Sequence, residues 1–196
     1  MKRIFDIFAS GLGLIALSPL FAVLAVWIKA DSKGPVFYRQ TRVGRDNKDF
    51  RLFKFRSMRP DSDKLGLITV GGRDPRVTRS GYYIRKYKLD ELPQLINVFR
   101  GDMSLVGPRP EVRKYVDMYT PGQMRVLSVR PGITSLASIR YRNENDILAA
   151  ADDPDKCYIE QVMPDKLKID LEYVEKASLW TDIKLIFSTF KEIVTK

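Results

Sequence analysis

From Ile7 to Ile28 the chain carries 22 residues without an Asp, Glu, Lys or Arg. As a helix this run would be about 33 Å long, enough to cross the hydrocarbon core of a bilayer. A chain with such a segment must place it in lipid or bury it, and the rest of the fold is arranged around that choice. A cleavable signal fits poorly, because the run exceeds an ordinary signal core and Trp27-Ile28-Lys29 offers no small-residue cleavage site. Ser18-Pro19 falls near the middle, where proline withdraws a helical N–H and clashes with the preceding turn, so a break or kink is expected. Lys2 and Arg3 precede the run and Lys29, Lys33, Arg39 and Arg42 follow it, so the positive-inside preference draws both ends to the cytoplasm. Three arrangements fit: a kinked span in which a hydroxyl such as Ser18 satisfies the freed carbonyl, a re-entrant helix-break-helix, or a buried hairpin of a soluble protein. Pattern alone favours the kinked span.

At 196 residues the chain has room for one cored domain and an appendage, divided here as 1–30 and 31–196. A formal charge of +10 on a folded composition calls for anionic partners, which leaves nucleic acid, anionic lipid and phosphorylated small molecules. Histidine is absent, which removes the usual general base of Ser-His and Cys-His catalysis and the commonest transition-metal ligand. Carboxylates must then carry acid, base or nucleophilic work. A metal would be a hard ion such as Mg²⁺, held by one or two carboxylates and completed by substrate phosphate and water. The single cysteine, Cys157, reads as an unreactive thiol in a reducing compartment.

Chemistry concentrates between Arg85 and Pro110. Asp90 and Glu91 stand immediately before Leu92-Pro93, and Leu95, Ile96 and Phe99 follow at helical spacing, which puts the acid pair at or near a helix start. Free first-turn N–H groups favour an anion there, and Arg85 lies about one turn or more upstream as a phosphate ligand. Gly107-Pro108-Arg109-Pro110 leaves few backbone conformations and directs the Arg109 guanidinium, which serves either a rigid turn or an anion. Asp102 is a turn residue or a further metal or base carboxylate.

Elsewhere, Val36-Phe37-Tyr38 and Phe50 to Phe55 read as a hairpin joined by Gly44 to Asp49, with Lys54 and Arg56 alternating against Phe53 and Phe55. These cations are solvated charges or phosphate contacts. Asp61 to Pro75, with Gly71-Gly72, is a loop, and Gly81 to Lys88 a helix. Arg130-Pro131-Gly132 is a second stiff turn, Ser135 to Tyr141 a strand carrying Arg140 and leading to Arg142, and Asn143 to Pro164 a short helix plus loop. A last helix carries Leu179, Ile183, Ile186, Phe187, Phe190, Ile193 and Val194 on one stripe, a pattern of core packing, although Trp180 and the lysines also suit a membrane interface.

Taken together, the chain resembles the bacterial sugar transferases, the monotopic phosphoglycosyl transferases. The resemblance rests on the apolar segment with Ser18-Pro19, Lys54-Phe55-Arg56-Ser57-Met58, Leu89-Asp90-Glu91-Leu92-Pro93-Gln94-Leu95, Gly101 to Pro110 and Arg130-Pro131-Gly132-Ile133-Thr134, in order over nearly the whole sequence. It implies a mostly helical α/β domain on the cytoplasmic face of the bacterial inner membrane. It also implies a re-entrant helix broken at Ser18-Pro19, in place of a span, and amphipathic interfacial helices. The implied reaction moves a sugar-1-phosphate from a UDP-sugar to polyprenol (undecaprenyl) phosphate with release of UMP, using Mg²⁺. By that resemblance Asp90 is the nucleophile that becomes a covalent phosphosugar ester, Glu91 its partner in metal or proton handling, and Asp90 and Glu91 the metal ligands. Arg85, Arg109, Lys54, Arg56 and Arg142 are the phosphate-binding candidates. Ser135-Leu136-Ala137-Ser138-Ile139-Arg140 departs from the Gly-Trp-Ala-Gln-type stretch of many members, which leaves the sugar open. The alternative is a non-enzymatic, membrane-anchored basic module binding anionic lipid or nucleic acid. No RNA- or DNA-reading motif accompanies the charge, so no nucleic acid partner is expected.

Overall fold

In the computed structural model, which describes residues 1–62 and 74–194 and the side chains up to 189, the apolar run and its flanks form a single helix, α1 (Lys2–Asp31). Pro19 lies inside it, so at Ser18-Pro19, where a break or kink was expected, the helix is not interrupted. The physical reason is local. Proline leaves the Ile15 carbonyl without its helical N–H, and the Ser18 hydroxyl donates to that oxygen at 2.8 Å. Among the described residues, α1 alone is long and apolar enough to cross a membrane. Its outer face carries Ile4, Phe8, Leu12, Ile15, Val23 and Val26, each more than 60% exposed.

Both ends of α1 are tied to the same globular body. At the N-terminal end, Arg3 donates to the carbonyls of Val98 and Phe99 at 2.6 and 2.9 Å, and buried Asp6 accepts the Leu105 N–H at 3.1 Å. Lys2 donates to the Val106 carbonyl at 3.0 Å and pairs with buried Asp182. At the C-terminal end, Asp31 accepts the Ser80 N–H and hydroxyl at 2.8 and 2.7 Å. There Arg56 donates to the carbonyls of Ile28, Ser32 and Lys33, satisfying oxygens that a helix end leaves open.

The hairpin forms as its alternation requires. Strands β1 (Phe37–Val43) and β2 (Asp49–Phe55) pair antiparallel from Phe37↔Phe55 to Val43↔Asp49, turning through left-handed Asp46 and Asn47. Phe53 and Phe55 are buried, Phe55 joining a core with Leu24, Ile28 and Ile84, while Lys54 faces the other way. Helix α2 (Arg79–Lys86) is capped by Thr78, which accepts the Gly81 N–H at 3.0 Å. A 3₁₀ turn (Leu89–Glu91) leads to α3 (Gln94–Arg100), which packs along α1.

Strand β3 (Ser104–Val106) pairs in parallel with β4 (Gly132–Thr134), and α4 (Arg113–Val116) lies between them in sequence. Gly107 and Gly132 permit this crossing: a Cβ on Gly107 would sit 2.4 Å from the Arg130 carbonyl oxygen, and one on Gly132 would sit 2.1 Å from the Gly107 nitrogen. The two stiff arginine turns are therefore backbone to backbone.

Beyond β4 the fold is helical: α5 (Leu136–Arg140), α6 (Glu144–Ala149), α7 (Pro154–Cys157), a π turn (Tyr158–Val162), α8 (Met163–Lys176) and α9 (Leu179–Val194). The strand expected over Ser135 to Tyr141 is thus corrected to α5, because Ser135 accepts the Ser138 N–H at 2.9 Å and starts a helix instead. The expected short helix and loop over Asn143 to Pro164 is mostly helical and runs into α8. Tyr115, Val126, Leu148, Tyr158 and Leu167 form a core of their own in this half. On α9, Leu185 is buried against Val106 and Tyr173, whereas Trp180 and Phe187 are 65% and 70% exposed, so the expected stripe does not all face the core. Asp182 occupies a buried position because Tyr173 donates to it at 2.6 Å and Lys2 pairs with it. The side chains of Phe190, Ile193 and Val194, and most of the loop expected from Asp61 to Pro75, lie outside the described residues.

Candidate active site

Three stretches remote in sequence meet here, the second contributing two elements. β2 carries Lys54, α2 carries Arg85, the 3₁₀ turn carries Asp90 and Glu91, and the turn after β3 carries Arg109. Lys88, at a left-handed φ of 57°, reverses the chain between α2 and the acid pair. Asn97, fully buried on α3, then fixes that segment to β2. It accepts the Phe53 N–H at 2.9 Å and donates to the Arg51 carbonyl at 2.8 Å and to Asp102 at 3.1 Å. The pair lies just ahead of α3, as its position before Leu92-Pro93 requires. The N-cap of α3 is Pro93, so neither acid caps the helix.

The two adjacent carboxylates are treated in opposite ways. Glu91 is gripped by a two-pronged Arg109 fork, Nη2 to Oε1 at 2.5 Å and Nη1 to Oε2 at 3.3 Å, with Lys54 Nζ at 3.4 Å from Oε1. Burial works against ionising Glu91, but Arg109 and then Lys54 outweigh it and hold its carboxyl well below the usual range. Asp90 is only 7% exposed and accepts no hydrogen bond among the described residues. Burial pushes its carboxyl up, Lys54 pulls it down, and the like charge on Glu91 adds to the rise. Environments that separate two neighbouring acids in this way assign them different tasks. Asp90 is the one left open, and it faces a cavity of about 460 Å³ whose wall includes Arg42, Lys54, Arg59, Arg76 and Arg85.

A pH dependence follows. If ionised Asp90 is the working form, activity falls as pH drops through its raised pKa, so the acid limb lies above the ordinary aspartate value. Lys54 lowers that pKa, and Lys54→Met is expected to move the acid limb of kcat to higher pH. A pH–rate profile checks it, and a limb that stays in place would remove Asp90 from the titrating role.

The structure brings Lys54, Arg85, Asp90, Glu91 and Arg109 together. Arg56 also lines the cavity, but its guanidinium is committed to the carbonyls that end α1. Arg142 is exposed after α5 and does not line the cavity. Arg130 donates to the Gly101 carbonyl at 2.8 Å and so braces the fold, and Asp102 is bonded to Asn97 at the end of α3. Asp170 was missed. It sits in a small pocket with Arg109 and Pro110, its Oδ1 buried without a partner among the described residues, and burial pushes its carboxyl up to about 6. An aspartate within the Met163, Leu167, Tyr173 apolar stripe of α8 was the available signal.

A family model described as bacterial sugar transferase matches residues 1–196. A UDP-N-acetylgalactosamine-undecaprenyl-phosphate N-acetylgalactosaminephosphotransferase of Aeromonas hydrophila is 42% identical, over 100% of this chain and 44% of its own length. A UDP-glucose:undecaprenyl-phosphate glucose-1-phosphate transferase of Escherichia coli (strain K12) is 40% identical, over 100% of this chain and 41% of its own. The exopolysaccharide production protein PSS of Rhizobium leguminosarum bv. phaseoli is 38% identical, over 100% of this chain and 96% of its own. The chain thus spans less than half of the first two relatives and nearly all of the third.

Proposed function

Because the chain belongs to the bacterial sugar transferase family, we propose that it transfers a sugar-1-phosphate from a UDP-sugar to undecaprenyl phosphate, releasing UMP and starting glycan assembly. The observation that carries this reading is Asp90: a buried carboxylate that accepts no hydrogen bond among the described residues, open to a cationic cavity, beside a glutamate already neutralised by arginine and lysine.

An Asp90 carboxylate oxygen attacks the phosphorus that bears the sugar, and the bond from that phosphorus to the UMP oxygen breaks. UMP leaves with the electron pair. A phosphate oxygen of undecaprenyl phosphate then attacks the same phosphorus, the bond to Asp90 breaks, and the carboxylate is restored. Lys54 and Arg85 in the wall offset charge on the phosphoryl oxygens, where positioning and electrostatics supply most of the rate in this class of reaction. Arg109 holds Glu91 in place and offsets its charge, which limits the repulsion that a second carboxylate adds beside Asp90 and the incoming phosphate.

For Mg²⁺, the described residues hold no cluster of three or more metal-binding side chains. Glu91 has both oxygens engaged, so within the acid pair Asp90 is the carboxylate that would hold the ion. One carboxylate, substrate phosphates and water is an arrangement Mg²⁺ accepts. When bound, it would supply neutralisation of the diphosphate.

A monotopic placement, with both ends of α1 on the cytoplasmic side, is part of the proposal. In its favour, Arg3 and Asp6 at one end and Asp31 at the other bond to the same folded body. A transmembrane path for this helix, roughly 45 Å from end to end, would tear one set away. The exposed faces of α1, Tyr82, Tyr83 and Tyr87 of the α2 region, and Trp180 and Phe187 of α9 are the apolar and aromatic surfaces that would meet lipid. In a Cys157→Ser background, a cysteine inserted after Met1 and Lys33→Cys are expected to react with a membrane-impermeant thiol reagent from the same side. Labelling from opposite sides would refute the placement.

The activity is tested by UMP release from UDP-glucose and UDP-N-acetylgalactosamine with undecaprenyl phosphate and Mg²⁺. Undiminished turnover in Asp90→Asn would sink the mechanism.

A further inference from the structure

β1 runs along the cavity wall, and strand alternation places Tyr38, Gln40 and Arg42 there on the same face as Lys54. Gln40 is held in one orientation. Its Oε1 accepts from Arg42 Nε at 3.1 Å and from Arg42 Nη2 at 2.8 Å. Arginine only donates, so the amide oxygen must face it and the amide cannot be turned over. Gln40 Nε2 is thereby directed away from Arg42, and it donates no hydrogen bond among the described residues.

Arg42 is fixed from behind. Its Nη1 donates to Glu111 Oε1 at 2.9 Å and to the Pro110 carbonyl at 3.2 Å, and Tyr158 on the π turn donates to Glu111 Oε2. All three guanidinium nitrogens are engaged, with the charge paired to Glu111, so Arg42 aims the amide and has no nitrogen left to bind a ligand itself.

Building on the phosphoglycosyl transferase reading, we propose that Gln40 is a substrate-binding residue whose Nε2 donates to a phosphoryl oxygen, and that Arg42 is a positioning residue acting through it. The wall selects the ligand chemistry: an oriented donor flanked by Lys54, Arg59 and Arg85 matches a group that only accepts and carries negative charge. Two phosphoryl groups qualify, the diphosphate of the UDP-sugar and the phosphate of the lipid acceptor.

Steady-state UMP release distinguishes them. Wild type, Gln40→Leu, Arg42→Lys and the double variant are compared while UDP-glucose or UDP-N-acetylgalactosamine is varied at saturating undecaprenyl phosphate, and then the reverse. Gln40→Leu is expected to raise one KM on the order of ten-fold or more, with kcat changed less, as loss of a hydrogen bond to a charged group predicts. A rise confined to the UDP-sugar series assigns the amide to the donor diphosphate, and one confined to the lipid series assigns it to the acceptor phosphate. Arg42→Lys, which keeps the charge but not the fork, is expected to raise the same KM alone and to add less than about two-fold to Gln40→Leu. Gln40→Glu, with an oxygen where the donor was, is expected to bind worse than Gln40→Leu. Unchanged KM values for Gln40→Leu in both series, or fully additive effects of the two substitutions, overturn the proposal while an active wild type leaves the parent reading standing. A wild type that releases no UMP from either donor overturns both.

Discussion

Asp90→Asn is expected to lower UMP release by at least about 10³-fold, since an amide of the same shape cannot form the bond to phosphorus. The same substitution is expected to leave the fold at least as stable at neutral pH. Burial raises the folded-state pKa of Asp90, so its ionised form is disfavoured in the folded protein. That cost is absent below the unfolded pKa and complete once pH exceeds the raised folded value. Asparagine never carries it, so any advantage of Asp90→Asn in thermal melts should grow as pH rises through that range. A variant that loses activity and stability together would point to a structural aspartate. One that loses activity alone, with wild type trapping a phosphosugar on the Asp90 peptide by mass spectrometry, would fit the nucleophile.

Arg109→Met should produce the second largest loss, on the order of 10²–10³-fold in kcat/KM, as removal of one preorganised charge from a phosphoryl site commonly does. Among the described residues Glu91 would keep Lys54 as its hydrogen-bond partner, and its carboxyl would rise from its lowered position toward the usual range. It would then take up protons at a pH where it is now fully ionised, which should distort the acid limb of the rate profile. Stability should fall by about 1–3 kcal/mol, less than for a fully buried pair, because Arg109 is 36% exposed. Arg109→Lys keeps the charge but not the fork and should recover only part of the activity. A wild-type rate and profile in Arg109→Met would remove the Glu91 grip from the mechanism.

Much of this site was legible because its parts are short and stiff. Asp90 and Glu91 stand before Leu92-Pro93, Arg109 is bracketed by Pro108 and Pro110, and absent histidine leaves carboxylates as the reactive groups. The hairpin was legible from alternation, since Phe53 and Phe55 must leave water while Lys54 need not. Arg56 was harder. Its spacing is that of Lys54, yet its side chain reaches the end of α1, 23 to 28 residues earlier in the chain. Arg130 and Arg109 sit in similar turns, but one reaches a carbonyl and the other a carboxylate. Neither outcome follows from local sequence, because a guanidinium takes whichever acceptor the fold brings within about 3 Å. The apolar stripe of α9 was likewise read too simply: helical spacing finds a face, and only packing against Val106 and Tyr173 shows how much of it is covered.

By itself, the sequence determined a long apolar helix with basic flanks, a β-hairpin, an acid pair ahead of a helix and a cationic, histidine-free chemistry. These follow from side-chain periodicity and from prolines and glycines that restrict their own neighbourhoods. Tertiary structure alone decided which acid is gripped and which is open, which arginines brace backbone and which face the cavity, and that both ends of α1 hold one body. Those outcomes depend on distances between residues such as Lys54, Glu91, Arg109 and Asp170. Such distances are set by packing across the whole fold, not by neighbours along the chain.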